Sequence, residues 1–203
     1  MLNRRLFLSC AALLAVGSRA VPSALAQSIS DKGAADFINT LGNEAINTFA
    51  RKDLPRPQAL TRFRDLLYQG FDVPYISRWV LGKYWNQASP EQQKQYERLF
   101  EQLIVQTYAN RFIEYSGETF RITGTKPLGE TDTAVSTQIV RPSGPPINVD
   151  WRVRKKDGGF KIIDVVVEGV SMGVTQRQEF ASVIESNGGN INGLLKALRE
   201  RVS

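Results

Sequence analysis

The chain has 203 residues and a mass of 22.7 kDa, room for one domain. Hydrophobic residues make up 42% and charged residues 23%, enough to bury a core. It contains no histidine, and its one cysteine is Cys10, which excludes His-based catalysis and His-ligated zinc and disfavours a disulfide framework. Met1 to Arg5 carry two arginines, Leu6 to Gly17 form an apolar run of twelve, and Ala24-Leu25-Ala26 is a small-x-small site. The run is shorter than the roughly 20 residues of a membrane span. The pattern predicts a cleaved export signal over residues 1–26, with Gln27 first in a mature domain of residues 27–203. Both Sec and twin-arginine routes are compatible with Arg4-Arg5. Loss of Arg4, Arg5 and Arg19 lowers the formal charge from +6 to +3, which gives no charge argument for nucleic-acid binding.

The chain then changes period twice. Asp31 is expected to cap a helix striped by Ala34, Phe37, Ile38, Leu41, Ala45, Ile46 and Phe49. Pro55 and Pro57 break it. A second helix carries Leu60, Phe63, Leu66 and Leu67 and ends near Gly70; Asp72-Val73-Pro74 caps a short third. Ser89-Pro90-Glu91-Gln92 is a capping box opening a long helix through Tyr108, Phe112 and Tyr115. Four strands follow: a short one over 119–123, then 133–141, 147–153 and 160–167. Val149, Trp151 and Val153 alternate on one face of the third, and Ile163, Val165 and Val167 on one face of the fourth. Antiparallel neighbours can place these faces together, with Ile162 and Val166 inward as the inverted assignment. Residues 176–186 and 191–202 predict two closing helices. The expected fold is α+β: a twisted antiparallel sheet of about four strands against a helical layer.

The fourth strand is apolar on both faces apart from Lys161 and Asp164. Read from the residues alone, this is a buried strand in a dry core or one wall of a cavity. Asp164 reads as a hydrogen-bonded structural carboxylate; the alternative is a general base of a small enzyme, with a raised pKa. No metal site and no cofactor is implied.

Several segments together resemble the MlaC family of periplasmic phospholipid-binding proteins, also called the toluene-tolerance auxiliary family. They are Val80-Leu81-Gly82-Lys83-Tyr84-Trp85, then Ser89-Pro90-Glu91-Gln92, Thr107-Tyr108-Ala109, Glu114-Tyr115-Ser116-Gly117-Glu118, and finally Asp164 to Ser171. The resemblance runs over about residues 30–200. It implies a periplasmic carrier, not an enzyme, with acyl chains held in an apolar pocket between sheet and helices. The implied partners are phospholipid, an inner-membrane ABC transporter complex with an MCE-domain subunit, and an outer-membrane lipoprotein–porin complex. The implied role is maintenance of outer-membrane lipid asymmetry. The family has a hopanoid-associated branch, which is the alternative lipid class; a protein-binding adaptor is the alternative function. On this resemblance the expected lipid contacts are Tyr108, Phe112, Val149, Trp151, Val153, Ile163, Val165, Val167, Val170 and Met172. Arg111, Arg141 and Arg152 are read as surface charges, with phosphate contact as the alternative.

Overall fold

The computed structural model describes the backbone of residues 23–50, 54–113 and 117–203, and side chains over 31–50, 54–110 and 117–203. The fold is α+β, as the change of period predicts. Helices α1 (Ser23–Phe49), α2 (Arg56–Gly70), α3 (Val73–Leu81) and α4 (Pro90–Ile113) precede strands β1 (Thr119–Leu128), β2 (Asp132–Val140), β3 (Ile147–Lys156), β4 (Gly159–Val167) and β5 (Val170–Ser171). Helices α5 (Met172–Ser186) and α6 (Ile191–Val202) close the chain. The sheet is an antiparallel meander in chain order.

Local chemistry sets most boundaries. The Asp72 carboxylate accepts from the Tyr75 N–H at 3.3 Å, capping α3. Ser89 and Gln92 bond reciprocally: Ser89 N–H donates to Gln92 Oε1 at 2.9 Å, and Gln92 N–H to Ser89 Oγ at 3.3 Å. Ser171 Oγ accepts from Val174 N–H, so α5 starts four residues before the predicted 176. The first helix also starts earlier than predicted. Asp31 is not its cap but lies inside it, and its carboxylate accepts instead from Thr133 Oγ1 at 2.9 Å. Strand β1 runs five residues past the predicted 123. It is an edge strand, where Pro127 removes no ladder bond the sheet needs, and a register shift between Ile122 and Gly124 breaks its alternation. The fifth strand is a two-residue return at the Glu168–Gly169 turn, whose φ values of 48° and 81° both lie in the left-handed region of a tight hairpin.

Three apolar clusters result. One joins α3, α4, α5 and α6 around Tyr96, whose hydroxyl donates to the Ser77 carbonyl at 3.0 Å and whose burial pushes its pKa well up. A second joins α2, α4 and the end of α1 through Phe63, Leu67 and Val105. The third is formed by α1 and the sheet, through Ala34, Ile38, Val135, Val153 and Ile162. Phe71 packs against both the second and the third.

Helix α1 crosses the strands on one sheet face. A Cβ on Gly33 would lie 2.8 Å from the ring of Phe160 on β4, and one on Gly42 would lie 2.4 Å from the ring of Phe120 on β1. Nine residues of helix rise about 13.5 Å, close to the three strand spacings (about 14 Å) separating β4 from β1. The two glycines thus let one helix touch both edges of the four-stranded part.

Candidate functional site: an apolar sheet face

Residues directly paired across an antiparallel ladder share a face. Three rows follow from the observed register. The first is Ile122, Thr137, Val149, Val167 and Val170; the second is Val135, Trp151 and Val165; the third is Thr133, Val153 and Ile162. All three belong to the face that α1 crosses. Its polar side chains are tied off, Thr133 on Asp31 of α1 and the others among themselves. The Trp151 indole N–H donates to Thr137 Oγ1 at 2.9 Å, and that hydroxyl donates to the Val149 carbonyl at 3.0 Å. What the face presents outward is therefore carbon, suited to apolar contact and not to acid–base chemistry.

The structure brings most of the predicted lipid contacts together here. Val149 and Val153 are buried, Trp151, Val165 and Val167 half-buried. Val170 ends the first row at the short edge and is 53% exposed. Among the described residues, Val149, Val167 and Val170 stand apart from the α1 cluster, and exposure along this row rises from buried Val149 through half-buried Val167 to Val170 at the β5 edge. Ile163 is a correction. The register shifts between Arg152 and Val153, making Ile162 the partner of Val153. Ile162 is 0% exposed in the α1 cluster, whereas half-buried Ile163 sits at the bulge. The inverted assignment holds for Ile162 and is corrected for Val166, which pairs with Asp150 and Ser171 on the opposite face. Tyr108 packs in the second cluster, on α4, whose main neighbours are α6, α2 and α3. Met172 is the half-buried first residue of α5. The side chains of Phe112 and Arg111 and all of Tyr115 lie outside the described residues.

The opposite face carries the polar groups. Asp164 accepts from Val165 N–H at 2.9 Å, Ser171 Oγ at 2.6 Å and Gly173 N–H at 3.1 Å, with Arg152 at 3.6 Å. It anchors β5 and the first turn of α5 to β4, the structural role read from its apolar surroundings. Arg141 donates to the Pro145 carbonyl within its own loop, at 3.1 and 2.7 Å. Asp132 and Arg154 form a bidentate pair at 2.8 Å, which holds the Asp132 carboxyl below its usual range.

The junction of sheet and helical layer is stitched along the free edge of β4. Asp72 N–H donates to the Ile162 carbonyl at 2.9 Å. Lys161 Nζ donates to the Tyr68 and Gln69 carbonyls at 2.8 and 2.7 Å, completing the C-terminal end of α2. Lys156 pairs with Asp72. Sequence reasoning missed this seam and the role of Phe71 within it. The available signal was the alternation of Arg152, Arg154 and Lys156 on β3, which marks a polar face behind the apolar one.

The comparisons with known proteins agree with this fold. A phospholipid-binding protein from Ralstonia solanacearum, solved in complex with a phospholipid, superposes with a TM-score of 0.72 at 27% identity, covering 83% of this chain and 96% of that one. The intermembrane phospholipid transport system binding protein MlaC of Haemophilus influenzae is 29% identical over 147 residues, 70% of this chain and 68% of its own length. The toluene tolerance protein ttg2D of Pseudomonas putida is 25% identical over 122 residues, 60% of this chain and 57% of its own. The sequence model described as MlaC protein matches residues 39–200, and the chain belongs to that family.

Proposed function

We propose that this protein is a periplasmic phospholipid carrier that encloses acyl chains between the three-row sheet face and the helical layer. The observation that carries the reading is the carbon-lined face, in a fold shared with a relative bound to phospholipid. Each methylene exposed to water costs about 0.8 kcal/mol, so a sixteen-carbon chain needs about 12 kcal/mol of shielding during transfer. A carrier meets that need by burial alone. The Haemophilus relative's name places phospholipid transport between membranes, and the same role is proposed here. The proposed donors and acceptors are an inner-membrane ABC transporter complex, met through its MCE-domain subunit, and an outer-membrane lipoprotein–porin complex. The proposed outcome is outer-membrane lipid asymmetry. Export by the residue 1–26 signal supplies the compartment. Among the described residues no helix is long and apolar enough to cross a membrane. The names of the Haemophilus and Ralstonia relatives speak of phospholipid, and nothing in them favours the hopanoid alternative. Solvent extraction of the purified protein followed by lipid mass spectrometry tests the reading: about one phospholipid per chain supports it. Absence of co-purified lipid together with no uptake from vesicles refutes it.

A further inference from the structure

Among the described residues, four cations lie over aromatic rings. Arg78 is 4.9 Å from the Trp85 ring centre, Lys83 5.0 Å from Tyr84, Arg154 4.8 Å from Tyr75 and Arg177 5.2 Å from Trp79. Three of them also meet a carboxylate. Arg154 forms the bidentate pair with Asp132, Glu97 stands 3.6 Å from Arg78 Nε, and Glu185 stands 3.9 Å from Lys83 Nζ. Arg177 differs: among the described residues no carboxylate or carbonyl oxygen engages it. Its guanidinium is nonetheless held in place. The Trp79 ring is on one side. The backbone of Gly82 is on another, where a Cβ would lie 2.8 Å from the guanidinium Nη2. Gly82 ends α3 at φ 60° and ψ −130°, a conformation strained for any other residue, so the chain keeps that space for the arginine. A guanidinium fixed by its flat face keeps its edge N–H groups for a planar acceptor.

This group stands away from the apolar rows. Arg177 is on α5, whose first turn is anchored to Asp164 on the sheet face opposite those rows. A Cβ on Gly173 would meet Trp79 at 3.0 Å and Asp164 at 3.1 Å, so Arg177, Trp79 and Asp164 are close neighbours. Exposed Arg152 lies 3.6 Å from Asp164, and exposed Lys83 follows Gly82. With Lys83 set against Glu185 and Arg152 against Asp164, Arg177 is the charge left over. Val174, one helical turn before it, is 39% exposed and supplies carbon beside that charge. An oriented, unpaired arginine beside an exposed apolar side chain has the makeup of an interface anchor.

We propose that Arg177, held between Trp79 and Gly82, anchors a docking surface for a protein partner that presents a carboxylate, with Val174 packing beside it. The proposal rests on the carrier reading above and adds where the carrier is gripped. A carboxylate is planar and takes two parallel N–H bonds from a guanidinium, the contact that Arg154 makes with Asp132 inside the chain. A partner seated there touches α3 and α5 and leaves the apolar rows uncovered, so lipid can pass while the carrier is held. Charge-led docking speeds encounter and weakens with salt, which suits brief and repeated visits.

The probes are the purified periplasmic part of the MCE-domain subunit and the purified lipoprotein–porin complex, each titrated against lipid-loaded protein by biolayer interferometry at low and high salt. Wild type is expected to bind at least one of them, more weakly at high salt. Arg177→Ala is expected to raise that Kd about tenfold or more and to remove most of its salt dependence. Arg177→Lys keeps the charge and loses the planar fork, and is expected to fall between the two. Lys32→Ala, on α1 across the sheet, is expected to bind as wild type does. Arg177 is exposed, so bound lipid and the thermal melt are expected to stay near wild type in every variant. Wild-type affinity of Arg177→Ala for both complexes, or no binding of wild type to either, overturns the proposal. Arg177→Lys indistinguishable from wild type overturns the oriented contact. Binding that depends on Arg177 only with phosphatidylglycerol vesicles marks a membrane surface and also overturns it. Failure of the carrier reading has a different signature, wild-type protein that holds no lipid.

Discussion

Val165→Glu separates lipid binding from folding. Val165 is half-buried beside Trp151 on the apolar face, so a glutamate there can turn its carboxylate to water. The protein loses part of one valine's burial, roughly 1 kcal/mol. A bound acyl chain meets a hydrated charge in its path. Displacing two or three methylenes from the sheet removes about 2 kcal/mol of lipid affinity, roughly thirtyfold. Val153→Glu is the poorer experiment, although it lies on the same face. Val153 is 1% exposed beneath α1, and an ionised carboxylate there costs several kcal/mol of a total stability of about 5–15 kcal/mol. It is expected to unfold the protein, not to empty it. Arg152→Glu is also unsuitable as an outward control, because it would set a second carboxylate beside Asp164. Lys126→Glu on the exposed edge strand serves instead. The assay is bound phospholipid per chain by mass spectrometry, read against a thermal melt. A folded Val165→Glu protein that retains wild-type lipid refutes the assignment of this face to acyl chains.

Asp164→Ala strands the Ser171 hydroxyl, the Gly173 N–H and the Arg152 charge, and is expected to cost about 3 kcal/mol in urea unfolding; a loss below about 0.5 kcal/mol refutes the anchoring role. The Asp132 carboxyl is held low chiefly by its hydrogen bonds from Arg154, so its contribution is present above the unfolded value near 4 and is lost as pH falls through the lower folded value. Asp132→Asn is therefore expected to flatten the acid limb of the stability profile by about 1 kcal/mol. The Tyr68 hydroxyl is pushed up to about 12, first by burial and then by its 2.6 Å hydrogen bond to Glu101, so stability is expected to fall between about pH 10 and 12. Tyr68→Phe removes that component, and an unchanged alkaline limb contradicts the argument. The intact mass of exported protein is expected to begin at Gln27; retention of residues 1–26 refutes the proposed cleavage.

Elements governed by neighbours in sequence were legible, and those governed by distant partners were not. The Gly70 terminus of α2, the Asp72 cap, the Ser89–Gln92 box and the span of α6 all rest on contacts within four residues. The shared face of Val149, Trp151, Val153, Val165 and Val167 was legible because alternation survives wherever the ladder is regular. It fails at the bulge, where one extra residue exchanges Ile162 for Ile163 with no local signal. Asp31 misled because a capping residue type inside a helix is indistinguishable in sequence from one at its end; its partner, Thr133, is 102 residues away. The length of β1 was hidden by Gly124 and Pro127, which an interior strand would not tolerate but an edge strand does. The Lys156–Asp72 pair was illegible for the same reason as the bulge: the two residues meet only because the seam closes.

The packing of α1 sets an order of events during synthesis. Its stripe of Ala34 and Ile38 is buried by Val135, Val153 and Ile162. About 120 residues must therefore be added after Ile38 before that surface is complete. At about 5–20 residues per second this interval lasts roughly 6–25 s. For that time the first helix of the domain is an apolar stripe with no sheet to cover it, while α2, α3 and α4 emerge and can already pair among themselves. Closure of α1 over the sheet is consequently a late, long-range step in which loop entropy is lost before contact is gained, and it governs how long the nascent chain remains threadable and prone to association.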